Sequence, residues 1–173
     1  MQTRTLVAAV VVLGMLAAGV FALRETLIPH EHAEADDGHG HAHAVGFSAG
    51  EPGNPRSPSR TIEVAMIERP DGRMAFEPSY IEVRRGEQVL FKTRNRGVVA
   101  HEMVVATLAE NLAHAEEMKR NPDMEHIDPN SIRLVAGHEG EILWRFTRAG
   151  DFDFSCLISG HREAGMFGKI VVR

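Results

Sequence analysis

Short runs of β-branched and aromatic residues, separated by glycine, proline and asparagine turns, constrain the fold of this chain more than any other feature. Strands this short and closely spaced are typical of an antiparallel sandwich. We therefore expect an all-β domain over residues 59–173. The runs are residues 61–67, 80–83, 88–92, 103–105, 142–146, 151–155 and 169–172.

One segment departs from the strand pattern. Thr107 and Glu110 are spaced as in a capping box, and Asn121 with Pro122 ends the helical pattern. The sequence therefore predicts a helical insertion near residues 108–120. Its predicted apolar face comprises Leu108, Leu112 and Ala115.

The N-terminus has the layout of an export signal. Arg4 precedes an uncharged apolar run over residues 6–20, which is shorter than the ~20 residues that span a bilayer. Val20 and Ala22 fit cleavage after residue 22. We expect residues 1–22 to be a signal peptide, with an uncleaved anchor as the alternative, and membrane attachment only in that second case.

Residues 23–58 contain few large apolar side chains and are rich in Gly and Pro, which predicts a flexible leader. Five of the ten histidines lie in it, at positions 30, 32, 39, 41 and 43. Clustered imidazoles bind divalent copper, so the leader is either a labile site for additional copper or a solvated tether.

Charge and cysteine content exclude several classes of function. The net charge of −5 argues against binding to nucleic acid. A single cysteine, Cys156, excludes internal disulfides and zinc sites that need paired thiolates. An exported lone thiol is prone to oxidation unless it is buried or bound to metal.

Cys156, His161 and Met166 lie in one loop between two predicted strands. His101 directly precedes the strand at 103–105 and is the best candidate for a fourth ligand. Two imidazoles, one thiolate and a weak axial thioether suit copper and its one-electron cycle.

Several alternatives stay open at this point. His138 competes with His101, and Met103 or a backbone carbonyl competes with Met166 as the axial ligand. Cys156 paired with a histidine also fits a catalytic thiol, and one thiolate with two imidazoles fits zinc. Neither of these accounts for the spacing of Met166. Four further residues could form a second copper site, and packing of the helix is an equally good explanation for them. They are His114, Met118, Met124 and His126.

The spacing after Cys156 resembles that of the cupredoxins, the small type 1 copper proteins, and in particular longer-loop members such as rusticyanin. From about residue 39 to the end, the chain resembles the bacterial periplasmic copper-tolerance cupredoxins. The segments that carry this resemblance are the His-rich leader and residues 50–53, 76–78, 101–103, 114–130 and 156–166.

The resemblance implies a Greek-key β-sandwich that holds one copper ion through His101, Cys156, His161 and Met166. It also implies a periplasmic protein involved in copper tolerance. The alternative is a respiratory electron carrier whose partner is a cytochrome or a multicopper oxidase. We do not expect an enzyme, because a trinuclear oxidase cluster needs paired His-x-His motifs and these occur only in the leader.

Overall fold

The computed structural model describes residues 46–121 and 128–173. The predicted signal segment and the leader up to residue 45 lie outside the described residues, as do Met124 and His126. The strands are β1 Glu51–Pro52, β2 Arg60–Glu68, β3 Met74–Glu77, β4 Tyr80–Val83, β5 Gln88–Asn95, β6 His101–Ala106, β7 Ser131–Leu134, β8 Glu139–Arg145, β9 Gly150–Ser155 and β10 Phe167–Val172, and the helix α1 is Leu108–Arg120.

The strands form two five-stranded sheets, with orders β1-β8-β5-β2-β3 and β4-β10-β9-β6-β7. The all-β sandwich with a helical insertion is confirmed. Most strand pairs are antiparallel, as expected, but β2 pairs with β5 and β4 pairs with β10 in parallel. Apolar runs reveal where strands lie, but the crossings of the chain between the two sheets decide which strands become neighbours.

The core fills the space between the two sheets and follows from side-chain alternation. In β5, Val89, Phe91, Thr93 and Asn95 are buried while Lys92 and Arg94 are exposed, as the period of two requires. Large side chains that the core encloses completely include Trp144, Phe76, Phe91, Phe146 and Phe154. Each such burial contributes about 1.5–3 kcal/mol relative to exposure.

Packing against the sandwich begins ahead of residue 59, the boundary expected from composition. The ring of Phe47 packs edge-on against the ring of Trp144, with the two ring centroids 5.2 Å apart. The Trp144 indole N–H donates to the Ala49 carbonyl at 3.3 Å. β1 then pairs with β8. A strand of two residues is too short to leave a periodic signal in the sequence.

Helix α1 has the predicted bounds and the predicted cap. The Thr107 hydroxyl accepts from the Glu110 N–H at 3.2 Å, and the Glu110 carboxylate accepts from the Thr107 N–H at 2.9 Å. The predicted apolar face is wrong, however, because Leu108 and Leu112 are about half exposed. The helix buries Asn111 and Met118 instead.

Within the described ranges, the single helix lacks the length and apolar character needed to cross a bilayer.

Candidate metal centre

Strand pairing sets the predicted ligand residues at one end of the sandwich. His101 is the first residue of β6, and Cys156 directly follows β9. Since β6 and β9 run antiparallel with Val104 opposite Ser155, the start of β6 lies beside the end of β9. His161 lies in the turn between β9 and β10 and folds back over this edge.

Three of the predicted side chains meet at this point. The Nδ1 atom of His161 lies 3.2 Å from Nδ1 of His101 and 3.3 Å from Sγ of Cys156. All three donor atoms lie within 4.8 Å of one another. Metal–nitrogen and metal–sulfur bonds are about 2.0 and 2.3 Å long, so one ion can reach all three atoms. Soft sulfur with two imidazoles suits copper.

Met166 belongs to the same loop and is fully buried. Its carbonyl accepts from the Cys156 N–H at 3.1 Å, and its own N–H donates to the His161 carbonyl at 3.0 Å. The loop therefore closes on itself around the three residues and draws Met166 into the core beside Cys156. The assignment of its thioether as the axial ligand stays a prediction.

The sulfur of Cys156 is shielded from water. Burial raises the pKa of this thiol to about 12, although the backbone N–H of Glu102 opposes the shift by pointing at Sγ from 3.4 Å. The Glu102 carboxylate accepts a hydrogen bond from the Leu157 N–H at 2.8 Å. A thiol in this environment stays protonated until a metal cation displaces the proton.

Both imidazoles are suited to act as neutral ligands. Burial lowers the pKa of His101 and of His161, and His101 adds to the effect on His161. The Glu68 carboxylate lies 3.1 Å from Nε2 of His101 and opposes the shift there. Neutral imidazole is the form that binds metals.

Turns in the ligand loop let it reverse direction within a few residues. The His161 N–H donates to the Ile158 carbonyl at 3.0 Å, and the Gly165 N–H donates to the Arg162 carbonyl at 2.9 Å. Gly165 has a φ of 101°, a left-handed conformation that glycine adopts without steric cost.

The competing candidates lie elsewhere. His138 is exposed, with its Nδ1 3.1 Å from the Ala136 carbonyl, and it is not among the clustered donor atoms. Met118 is buried under α1, which favours packing over a second copper site for this residue. His114 is half-buried on the same helix.

Sequence reasoning missed Glu68, which contacts His101 from the end of β2. A single acidic residue at a strand end carries no signal in the sequence. β2 and β6 belong to different sheets, so only the packing of the two sheets brings the end of β2 close to the start of β6.

A sequence profile of copper binding proteins, the plastocyanin/azurin family, matches residues 63–173. The chain belongs to this family. It is 49% identical over 144 residues to the copper-resistant cuproprotein CopI of Rubrivivax gelatinosus, covering 83% of this chain and 84% of that one. It is 31% identical to the protein of the same name from Pseudomonas aeruginosa, covering 82% of this chain and 88% of that one.

The fold has solved counterparts among cupredoxins. Reduced auracyanin from the photosynthetic bacterium Roseiflexus castenholzii superposes with a TM-score of 0.56 at 21% identity, over 68% of this chain and 99% of that one. The cupredoxin fold that the resemblance implied is thus confirmed. Copper is the metal that this family binds, and two imidazoles with one thiol sulfur suit it.

Proposed function

We propose that this cupredoxin is exported to the periplasm, binds one copper ion through His101, Cys156, His161 and Met166, and contributes to copper tolerance. The observation that carries the proposal is the convergence of two imidazole Nδ1 atoms and one thiol sulfur within 4.8 Å. The names of the CopI relatives support the link to copper resistance.

Each ligand residue has a different role in the proposed copper site. Cys156 supplies a thiolate from a position that excludes water, and His101 supplies a neutral imidazole that is fully buried. His161 is partly exposed and offers the edge through which an electron or an ion can pass. A copper ion held by such a mixed donor set supplies one-electron redox chemistry.

Optical and paramagnetic resonance spectra test the copper assignment. Titrating the purified metal-free protein with Cu(II) should produce an intense visible band that saturates at one equivalent for the folded domain. Cys156→Ser should remove the band, because the thiolate is its source, whereas His138→Ala should leave it unchanged. A Cys156→Ser protein that keeps the band would contradict the ligand assignment.

Growth of a deletion strain tests the biological role. Loss of the gene should increase sensitivity to copper, and wild type should restore growth where Cys156→Ala does not. Unchanged sensitivity in the deletion strain would refute the copper-tolerance role. Fractionation and N-terminal sequencing of the mature protein test export and cleavage after residue 22.

A respiratory electron carrier is the second candidate. Val98, Val99 and Val135 are exposed at the metal-site end, and exposed apolar side chains of this kind are typical of docking surfaces. Rapid reduction by a periplasmic c-type cytochrome, together with a respiratory defect in the deletion strain, would favour this role. The expectation that the chain is not an enzyme stays a prediction, which an assay for Cu(I) oxidation tests.

The histidines of the leader are proposed to hold additional copper. A variant that lacks residues 23–45 should bind fewer Cu(II) ions than the mature chain while it keeps the visible band. Equal stoichiometry in the two proteins would leave the leader as a tether.

A further inference from the structure

Glu68 contacts the ring of His101 at Nε2, the nitrogen that does not face His161. One of its carboxylate oxygens, Oε1, lies 3.1 Å from Nε2 of His101 and accepts from the N–H groups of Val98 and Val99 at 2.8 and 3.0 Å. The Glu68 side chain is 22% exposed, whereas the His101 side chain is fully buried. The carboxylate therefore joins the end of β2 to the β5–β6 loop and to the buried imidazole.

The contact determines which nitrogen of His101 carries the proton. An ionised carboxylate only accepts hydrogen bonds, so the nitrogen that faces it must be the donor. Nε2 then bears the proton, and the lone pair is left on Nδ1. Nδ1 is the atom that faces His161 at 3.2 Å. The carboxylate thus orients the ring for metal binding by holding it at Nε2, which leaves Nδ1 available to bind a metal.

Gly97 makes this arrangement possible. A Cβ atom at position 97 would lie 2.3 Å from Oε1 of Glu68 and 2.9 Å from Nε2 of His101. Both distances are below any normal van der Waals contact, so the backbone can approach the carboxylate and the ring only without a side chain. The Gly97 N–H is held in turn by the buried Asn95 carboxamide oxygen at 2.9 Å.

We propose that Glu68 is a positioning residue of the copper site, which fixes the Nε2–H tautomer of His101 and favours the oxidised over the reduced metal through its negative charge. The proposal rests on the proposed copper site. A nearby negative charge interacts more favourably with Cu(II) than with Cu(I), since the attraction scales with the charge of the ion. The imidazole transmits part of this effect because a hydrogen bond from Nε2–H to a carboxylate raises the basicity of Nδ1.

The test compares Glu68→Gln with Glu63→Gln. The Glu68→Gln variant keeps an oxygen for the Val98 and Val99 N–H groups but removes the charge. Glu63 is an exposed carboxylate on the same strand, so its replacement changes the net charge equally. We expect Glu68→Gln to lower the ratio of Cu(II) to Cu(I) affinity about tenfold, which is a rise of about 59 mV in reduction potential. We expect Glu63→Gln to change the ratio less than twofold.

Three outcomes separate the possibilities. A Glu68→Gln potential that matches the Glu63→Gln control, in proteins that keep the visible band, overturns this inference and leaves the proposed function intact. Absence of the band from wild type overturns the proposed function itself and this inference with it. In the metal-free protein, long-range ¹H–¹⁵N spectra should show His101 protonated on Nε2, and protonation on Nδ1 would also overturn the inference.

Discussion

Asp153 holds the guanidinium of Arg162, the residue that directly follows His161, through two parallel hydrogen bonds of 3.0 and 3.1 Å. Both side chains are largely buried, at 9% and 15% exposure. Asn111 of helix α1 donates to the same carboxylate at 2.7 Å. One acidic side chain of β9 therefore connects the helical insertion to the loop that carries His161.

Replacement of Asp153 by Asn should destabilise the protein by about 3 kcal/mol, because it leaves a buried guanidinium without a charged partner. Urea unfolding of the metal-free protein measures the loss. Asp151→Asn is the matched control, since Asp151 lies on the same strand and pairs with Lys169 where both side chains are exposed, so that its replacement should cost less than about 1 kcal/mol. Equal losses in the two variants would contradict a structural role for the Asp153 pair.

His101→Ala should weaken copper binding more than about 100-fold, because the loss of a residue that merely supports a ligand already costs 10–100-fold. The remaining bound copper should show an altered visible spectrum, since water can enter the position of the missing imidazole. Competition with a calibrated chelator measures the affinity. His138→Ala is the control, and an effect of that substitution larger than that of His101→Ala would reassign the ligand.

Met166→Leu should retain copper while its visible spectrum changes and its reduction potential rises, because the axial ligand of such sites tunes the potential. Metal-free stability should fall by less than about 1.5 kcal/mol, as the two side chains have similar volumes. Met103→Leu is the control within the same core. A shift of the potential in Met103→Leu alone would identify Met103 as the axial ligand.

Acid should weaken the start of helix α1 through Glu110. Burial acts to raise the pKa of this carboxyl, but hydrogen bonds from Ser48 and Thr107 prevail and lower it below 4.5. A carboxyl with a lowered pKa in the folded state stabilises the protein above its unfolded pKa, and this contribution is lost as the pH falls through 4.5 and below.

Between pH 7 and pH 3.5, Glu110→Gln should therefore lose less stability than wild type does. The difference between the two losses should be under about 1 kcal/mol, because the Glu110 side chain is exposed. Urea midpoints at the two pH values measure the difference. Glu117→Gln is the control, because Glu117 is an exposed carboxylate on the same helix, and this variant should lose as much stability as wild type does. If Glu110→Gln lost as much stability between the two pH values as wild type does, the Glu110 carboxylate of the cap would contribute nothing to acid sensitivity.

Local patterns in the sequence predicted most of the strands, the bounds of α1 and the cap at Thr107, because side-chain alternation and capping are properties of neighbouring residues. They did not predict β3 or β7. β3 pairs with β2, and β7 pairs with β6, and both owe their strand conformation to those partners rather than to an apolar run of their own.

The loop that carries Cys156, His161 and Met166 could be recognised from the sequence, since all three residues lie close together in the chain, between two predicted strands. The position of His101 beside that loop depends on the antiparallel pairing of β6 with β9. The contact of Glu68 with His101 and the burial of Asn111 against Asp153 were decided only by the tertiary structure. These contacts join residues that are distant along the chain, and the hydrogen-bonding needs of buried polar groups select them only after the sheets have packed.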